Sequence, residues 1–351
     1  MYKLFFILFL SVSLQFNSQI NTQLLSNSSW TKVKSNMLDG SRDLSPTSSR
    51  FLVWKINGNK ICEYSNPWAI ETKECTNFKY DKNLIVLSDR LAFQIESLTP
   101  DSLIVMQKVD GITFPDKIRK MWFVKTSTLV KNFTDKTTGD SIIINSRNVT
   151  PILKKEIISE MMEAYMNKGY THDINMNGKI LIFPKKQEIE VITDFKKQSK
   201  DNQAGIDLFK KNLEKNYKMW DITGFEKFEK IIIPYHFSSK TVEGSGSLGF
   251  SNKVSDGVDQ GIVINIKNKN TSLENFNKGV EAANKKKFDN AIYYFNKAHE
   301  DDNTNTDALY NVVSISLALK NVNEACSALK KLNDLEQVNG IKLYKEKCEG
   351  N

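Results

Sequence analysis

A chain of 351 residues, with 40% hydrophobic and 26% charged side chains, is long enough for two or three domains with separate cores, and its composition excludes a disordered protein. The net charge is +8, yet only five basic residues are arginine: Arg42, Arg50, Arg90, Arg119 and Arg147. Lysine runs interleaved with Asp, Glu and Asn read as solvated surface, and the shortage of the planar guanidinium fork argues against a nucleic-acid site.

The chain opens with "MYKLFFILFLSVSLQFNSQ": one lysine, an uncharged apolar run from Leu4 to Leu14, then small polar residues. The run is shorter than the roughly 20 residues a bilayer span needs, so residues 1–19 are expected to be a secretory signal cleaved near Ser18. The mature protein is then expected outside the cytoplasm, in the periplasm or the medium, without stable membrane insertion. Export makes the four cysteines readable as two sequence-local pairs, Cys62 with Cys75 and Cys326 with Cys348. Each disulfide would contribute about 3 kcal/mol in the chain-entropy account; four free buried thiols are the other reading. The three histidines, His172, His236 and His299, lie far from any cysteine in sequence, so no zinc site is expected.

From residue 29 to 126 short apolar runs alternate with turn signals: "RFLVWKI" before Asn57-Gly58, then "NLIVL", "LAFQI", "SLIVMQKV", Asp110-Gly111 and "KMWFV". This spacing predicts an antiparallel sheet or small barrel. The run "FQIESLTPDSLIVMQKVDG", with a Leu-Thr-x-Asp-x-Leu turn at Leu98 to Leu103 and Trp30 opening the segment, resembles the lipocalin-like domains of exported bacterial proteins. The resemblance implies an apolar ligand cavity lined by Trp54, Phe93 and Trp122; the alternative is that these rings fill the barrel.

Residues 150–268 read as a small α+β unit of ββαβ order. A helix is expected to start with Thr150 as cap and Pro151 in its first turn, to bury Ile157, Ile158, Met161, Met162 and Tyr165, and to end at Gly169. The strands "GKILIF" and "EIEVITDF" follow, then a helix over 202–218 burying Ile206, Phe209, Leu213 and Tyr217, then Trp220 and the strand "EKIIIPYHF". This order, with Gly178-Lys179-Ile180 and Ile233 to Phe237, resembles the C-terminal domain of TonB-type energy transducers. Asp221-Ile222 stand where that family has a proline, and no membrane anchor or Pro-rich spacer is read in the chain. The resemblance therefore implies the fold and not the energy-transducing role. Residues 238–270 are expected to form a Gly/Ser-rich connector and one further strand, "GIVINI". Within the connector "GSGSLG" satisfies G-x-G-x-x-G, but no helical period follows to meet a pyrophosphate, so a flexible loop is expected. His236 alternates with Ile232 and Pro234 and reads as structural or surface-exposed. No phosphate loop, nucleophile elbow or H-E-x-x-H is present. No catalytic residues, cofactor or metal are expected, and the chain reads as a non-enzyme.

The last segment, 272–351, is helical. Phe288, Ala291, Ile292, Phe295 and Ala298 mark one helix face, and 34 residues later stand Val322, Ala325, Cys326, Leu329 and Leu332; Gly279 and Val313 share that offset. Paired helices at this period resemble the tetratricopeptide repeat, with units at about 272–305 and 306–339. Two departures are Asn303 in place of the usual proline and Leu332 where a small residue is common. "NGIKLYKEKC", with Ile341, Leu343 and Tyr344, is expected to cap the stack, pinned by Cys326–Cys348. The resemblance implies a partner protein on the concave face, with Phe276, Val280, Tyr310 and Ser314 as its contacts; the alternative is a stack that only packs on the middle unit. The expected function is an exported scaffold that binds another protein, with carriage of a small apolar ligand by the barrel as the rival.

Overall fold

A computed structural model describes residues 20–45, 48, 51–68, 75–154, 157–167, 173–194, 200–242, 245–254 and 264–349. The expected signal segment lies outside the described residues. The architecture is α+β and multidomain: an antiparallel near-barrel, a mixed sheet with helices, then a five-helix stack. No helix among the described residues is long and apolar enough to cross a membrane.

Nine strands form the first unit: β1 (Ser28–Met37), β2 (Val53–Asn57), β3 (Lys60–Tyr64), β4 (Cys75–Asn77), β5 (Lys79–Asp81), β6 (Leu84–Ser88), β7 (Leu91–Leu98), β8 (Ser102–Val109) and β9 (Arg119–Lys125). They pair antiparallel in the order β4-β3-β2-β1-β9-β8-β7-β6-β5. The two outermost strands, β4 and β5, are separated in sequence by Phe78 alone, so the sheet must curl until its edges adjoin. Strand alternation fills the interior with Ile56, Ile61, Phe93, Leu103, Val105, Met121 and Phe123, and Leu25 joins this core from the preceding turn. Cys62 faces Cys75 across the β3–β4 ladder and is bonded to it.

The second unit contains α1 (Thr126–Asp135), β10 (Ser141–Ile143), β11 (Ile152–Leu153), α2 (Ile158–Asn167), β12 (Ile174–Phe183), β13 (Glu188–Thr193), α3 (Lys200–Glu214), β14 (Trp220–Asp221), β15 (Lys230–Val242) and β16 (Ser245–Asn252). β12 runs between β13 and β15, while β10, parallel, and β16, antiparallel, share the far edge of β15. Ile180, Ile182, Ile231, Ile233 and Phe237 from the sheet meet Met161, Ile206, Phe209 and Leu213 from α2 and α3. Gly178 faces Tyr235, and a Cβ there would lie 2.1 Å from the Ile192 carbonyl, so only glycine fits.

Two expectations are corrected in this unit. The helix expected from Thr150 begins at Ile158, because Thr150 and Pro151 make tertiary bonds instead. Asn252 Nδ2 donates to Thr150 Oγ1 (2.8 Å), and the Pro151 carbonyl accepts from Trp68 Nε1 (3.1 Å). Ile152–Leu153 then pair with Trp220–Asp221. The stretch containing "SGSLG" is strand β16 rather than a loop: β15 offers an open edge, and Phe250 is buried beneath the new pairing. Helix α1, with Thr126, Thr128 and Thr134 among its ten residues, has little helix propensity of its own; buried Val130 and Thr134 hold it. Residues 255–263, holding the start of "GIVINI", lie outside the described residues, as do Gly169 and His172; Ile266 makes a single bridge to Asp302. His236 Nδ1 lies 3.1 Å from Asn177 Oδ1 on the neighbouring strand.

Trp68 joins the two units. It leaves the connection after β3 and is fully buried in the core of the mixed sheet, 4.7 Å from the Phe250 ring and edge-on to Trp220 at 5.7 Å. Leu153 N donates to the Pro67 carbonyl at its base (3.0 Å).

The stack comprises α4 (Lys269–Asn284), α5 (Phe288–Asp301), α6 (Thr306–Ala318), α7 (Val322–Asp334) and α8 (Val338–Lys347), joined by short turns that make successive helices antiparallel. The 34-residue offset holds in the core: Ala291 and Ala325, Phe295 and Leu329, Ala298 and Leu332 are all buried. It also holds in the backbone, since Lys286 (φ 57°) and Lys320 (φ 59°) are left-handed residues of equivalent turns. Asn296 Nδ2 donates to Glu324 Oε1 (3.0 Å), tying α5 to α7. A Cβ on Gly279 would sit 2.7 Å from the Phe295 ring; the equivalent pair, Val313 and Leu329, exchanges a larger residue on one helix for a smaller one on the other. Asn303 shows why a proline is absent there. Its N–H donates to Asn265 O (3.2 Å), and its side chain accepts from Asn265 N (2.8 Å), neither of which proline could do. Cys326–Cys348 staples α7 to the end of α8.

The stack leans on the barrel. Lys117 pairs with Asp307 (2.7 Å), and Arg42 with Glu336 (3.4 Å). Arg42 N donates to Glu336 O (3.2 Å), and Val338 N donates to Ser41 Oγ (3.0 Å). Leu44, from the same loop, is buried in the helical core.

His299, near the end of α5, is buried within this stack, and its Nδ1 has no partner among the described residues. Burial lowers its pKa below the ordinary 6.5, and Lys331 adds to the shift, while a hydrogen bond with the Asn305 backbone and the carboxylates of Asp302 and Glu300 oppose it. The unfolded chain therefore takes the proton first as pH falls. The stability tied to neutral His299 is complete above pH 6.5 and declines as pH drops from there through the lowered native value. Melting temperature followed from pH 7.5 to 5 is expected to fall more steeply for the native protein than for His299→Leu; parallel curves would show that folding does not lower the imidazole's pKa.

Candidate protein-binding groove on the helical stack

Because the helices alternate in direction, the α4–α5 and α6–α7 turns lie at one end of the stack, and the α5–α6 and α7–α8 connections at the other. The barrel holds the second end through Asp307, Glu336 and Val338. At the first end Phe288, Ser314, Ile315, Ala318 and Leu319 line a groove of about 180 Å³.

The local chain builds this groove. Leu319 ends α6 with its N–H on the Ile315 and Leu317 carbonyls, and Lys320 then takes the left-handed conformation that reverses the chain. Leu319 is thereby left 45% exposed. Phe288, the first residue of α5, follows the equivalent turn and is 38% exposed, as its counterpart Val322 is at 43%. Periodicity assigns Phe288 and Val322 to the buried face. They are exposed because a side chain at the first helical position projects past the end of the neighbouring helix.

Ser314 lines the groove, and Val280, its equivalent one unit earlier, is exposed on α4. The other two expected contacts lie elsewhere. Phe276 is half-buried with its ring edge-on to Phe295 at 5.4 Å, so it serves the hairpin interior. Tyr310 is half-buried near the barrel, beside the Gly340 backbone, Asp39 and Asp116; burial, reinforced by these carboxylates, pushes its hydroxyl up to about 12. Phe288 and Leu319 were not expected in a site. Their position beside the two chain-reversing lysines is the signal that points to them.

In the barrel, Trp54 and Phe93 do face inward. The Trp54 ring lies 4.9 Å from Phe93 and 4.4 Å from Phe123, so these rings occupy the interior. Trp122 does not join them. It alternates with buried Met121 and Phe123, and its ring is on the outer face with Lys34 and Lys120 ammonium groups at 5.0 and 5.3 Å. Among the described residues no group of three or more His, Cys, Asp or Glu could hold a metal ion. No protein-family model matches this chain, and neither does any curated protein or solved structure.

Proposed function

We propose that this is an exported, non-enzymatic scaffold that binds another protein through the end of a tetratricopeptide-like stack. One observation carries the reading: the barrel occupies one end of the stack, while the other keeps an apolar groove flanked by exposed Phe288 and Leu319. The repeat in core, turn backbone and small–large pairing supports the tetratricopeptide reading. Two disulfides fit an oxidising compartment. The lipocalin-like and TonB-like readings of the two sheets rest on strand order and sequence resemblance. The Trp54, Phe93 and Phe123 rings take up the space an apolar cargo would need, which disfavours the carrier.

The double variant Phe288→Asp, Leu319→Asp tests the reading, since both side chains are exposed and the fold should tolerate them. Affinity capture from the exported proteins of the source cells is expected to recover a partner with the native chain. Binding should weaken about tenfold or more in the variant, as expected when an apolar anchor is replaced by a charge. Equal recovery by both chains would refute the groove as the contact.

A further inference from the structure

The lysines around the groove speak to the chemistry of its occupant. Lys287 precedes Phe288, Lys320 follows Leu319, and Lys286 stands in the turn equivalent to that of Lys320. All three are exposed. Lys285, in the same turn, is already paired with Glu281, and Asp289 is the one acidic residue directly beside the groove's edge on α5. The apolar floor thus carries a rim that is net positive, at the end of the stack farthest from the barrel.

We infer that the groove takes an acidic segment of a partner protein, in which one bulky aliphatic or aromatic residue is flanked by Asp or Glu. The inference rests on the groove reading above and adds the partner's chemistry to it. The apolar anchor would cover Phe288, Ile315, Ala318 and Leu319, the burial that supplies most of the affinity, while its flanking carboxylates would meet Lys286, Lys287 and Lys320. These charges are solvent-exposed, so they select the partner and speed its encounter more than they tighten it, and salt should weaken them.

Fluorescence anisotropy with the full chain and three short peptides tests this. One peptide carries a leucine between glutamates, one the same leucine between lysines, and one serine between glutamates. The glutamate–leucine peptide is expected to bind, and more weakly as salt rises. The lysine-flanked peptide should bind about tenfold more weakly, and the serine peptide should not bind measurably. Lys286→Asn with Lys320→Asn, substitutions that suit a left-handed backbone, should reduce the preference between acidic and basic flanks, leaving what Lys287 supplies, without loss of fold. Equal binding of both leucine peptides, abolished by Phe288→Asp, would overturn the acidic partner and leave the groove standing. Peptide binding indifferent to Phe288→Asp would overturn the groove itself. Concentration-dependent self-association that Phe288→Asp removes would overturn the inference by making a second copy the occupant.

Discussion

Replacing Trp68 with alanine is expected to cost about 3–5 kcal/mol, the range for emptying a fully buried aromatic site. The loss should exceed that for a comparable ring within one unit, because Trp68 grows from the barrel and is buried in the mixed sheet. Its ring stacks on Phe250 and meets Trp220 edge-on, and its indole N–H satisfies the Pro151 carbonyl. Trp68→Phe separates these contributions. It keeps most of the packing and drops the hydrogen bond, so roughly 1 kcal/mol should go with the N–H, and more if the smaller ring leaves a void. Denaturant unfolding followed by tryptophan fluorescence and far-UV dichroism measures both variants. A Trp68→Ala loss below about 1 kcal/mol, the level of an ordinary surface change, would contradict the insertion. The disulfide Cys62–Cys75 brackets this segment, so its removal should lower stability by about 3 kcal/mol, and less in a Trp68→Ala background where the bracketed segment has lost its anchor.

The second large effect concerns the repeat. Gly279→Val should destabilise the stack by about 1–3 kcal/mol, because the new side chain collides with the Phe295 ring already within 2.7 Å of a Cβ. Phe295→Leu alone should also destabilise, by opening a cavity. Together they reproduce the Val313 and Leu329 pair of the following unit, and the double variant is expected to recover part of the sum. A coupling of at least about 0.5 kcal/mol in a double-mutant cycle is the expected sign. Additive losses would mean that the two hairpins do not share one packing plan.

How much of this was legible in the sequence depended on whether the determining interaction was local. The antiparallel first unit could be read from Asn57-Gly58, Asp110-Gly111 and the alternating runs between them, because hairpin turns and strand alternation act over a few residues. The helical tail could be read from a fixed interval, since each hairpin meets its neighbour through the same positions. Trp68 could not: "SNPWAI" looks like a surface turn, and only its meeting with Phe250, Trp220 and Pro151, all more than 80 residues away, makes it core. Strand β16 was hidden for the same reason, since a Gly/Ser-rich stretch has little strand preference until β15 offers it an edge. Thr150 and Pro151 carry the local signature of a helix start, and long-range bonds to Asn252 and Trp68 override it. In the candidate site, Ser314 followed from the repeat, but Phe288 and Leu319 did not. Helix periodicity says which way a side chain points around the axis and not whether a neighbouring helix extends far enough to cover it.

The claim on which this account stands is that the end of the stack away from the barrel is a binding surface. A photo-crosslinking residue at Ser314 tests it most directly, with Lys342, exposed on α8, as the control position. The account predicts a discrete adduct with a second protein from position 314, lost on adding Phe288→Asp and absent from position 342. Adducts that form equally from both positions, or that survive Phe288→Asp, would contradict it.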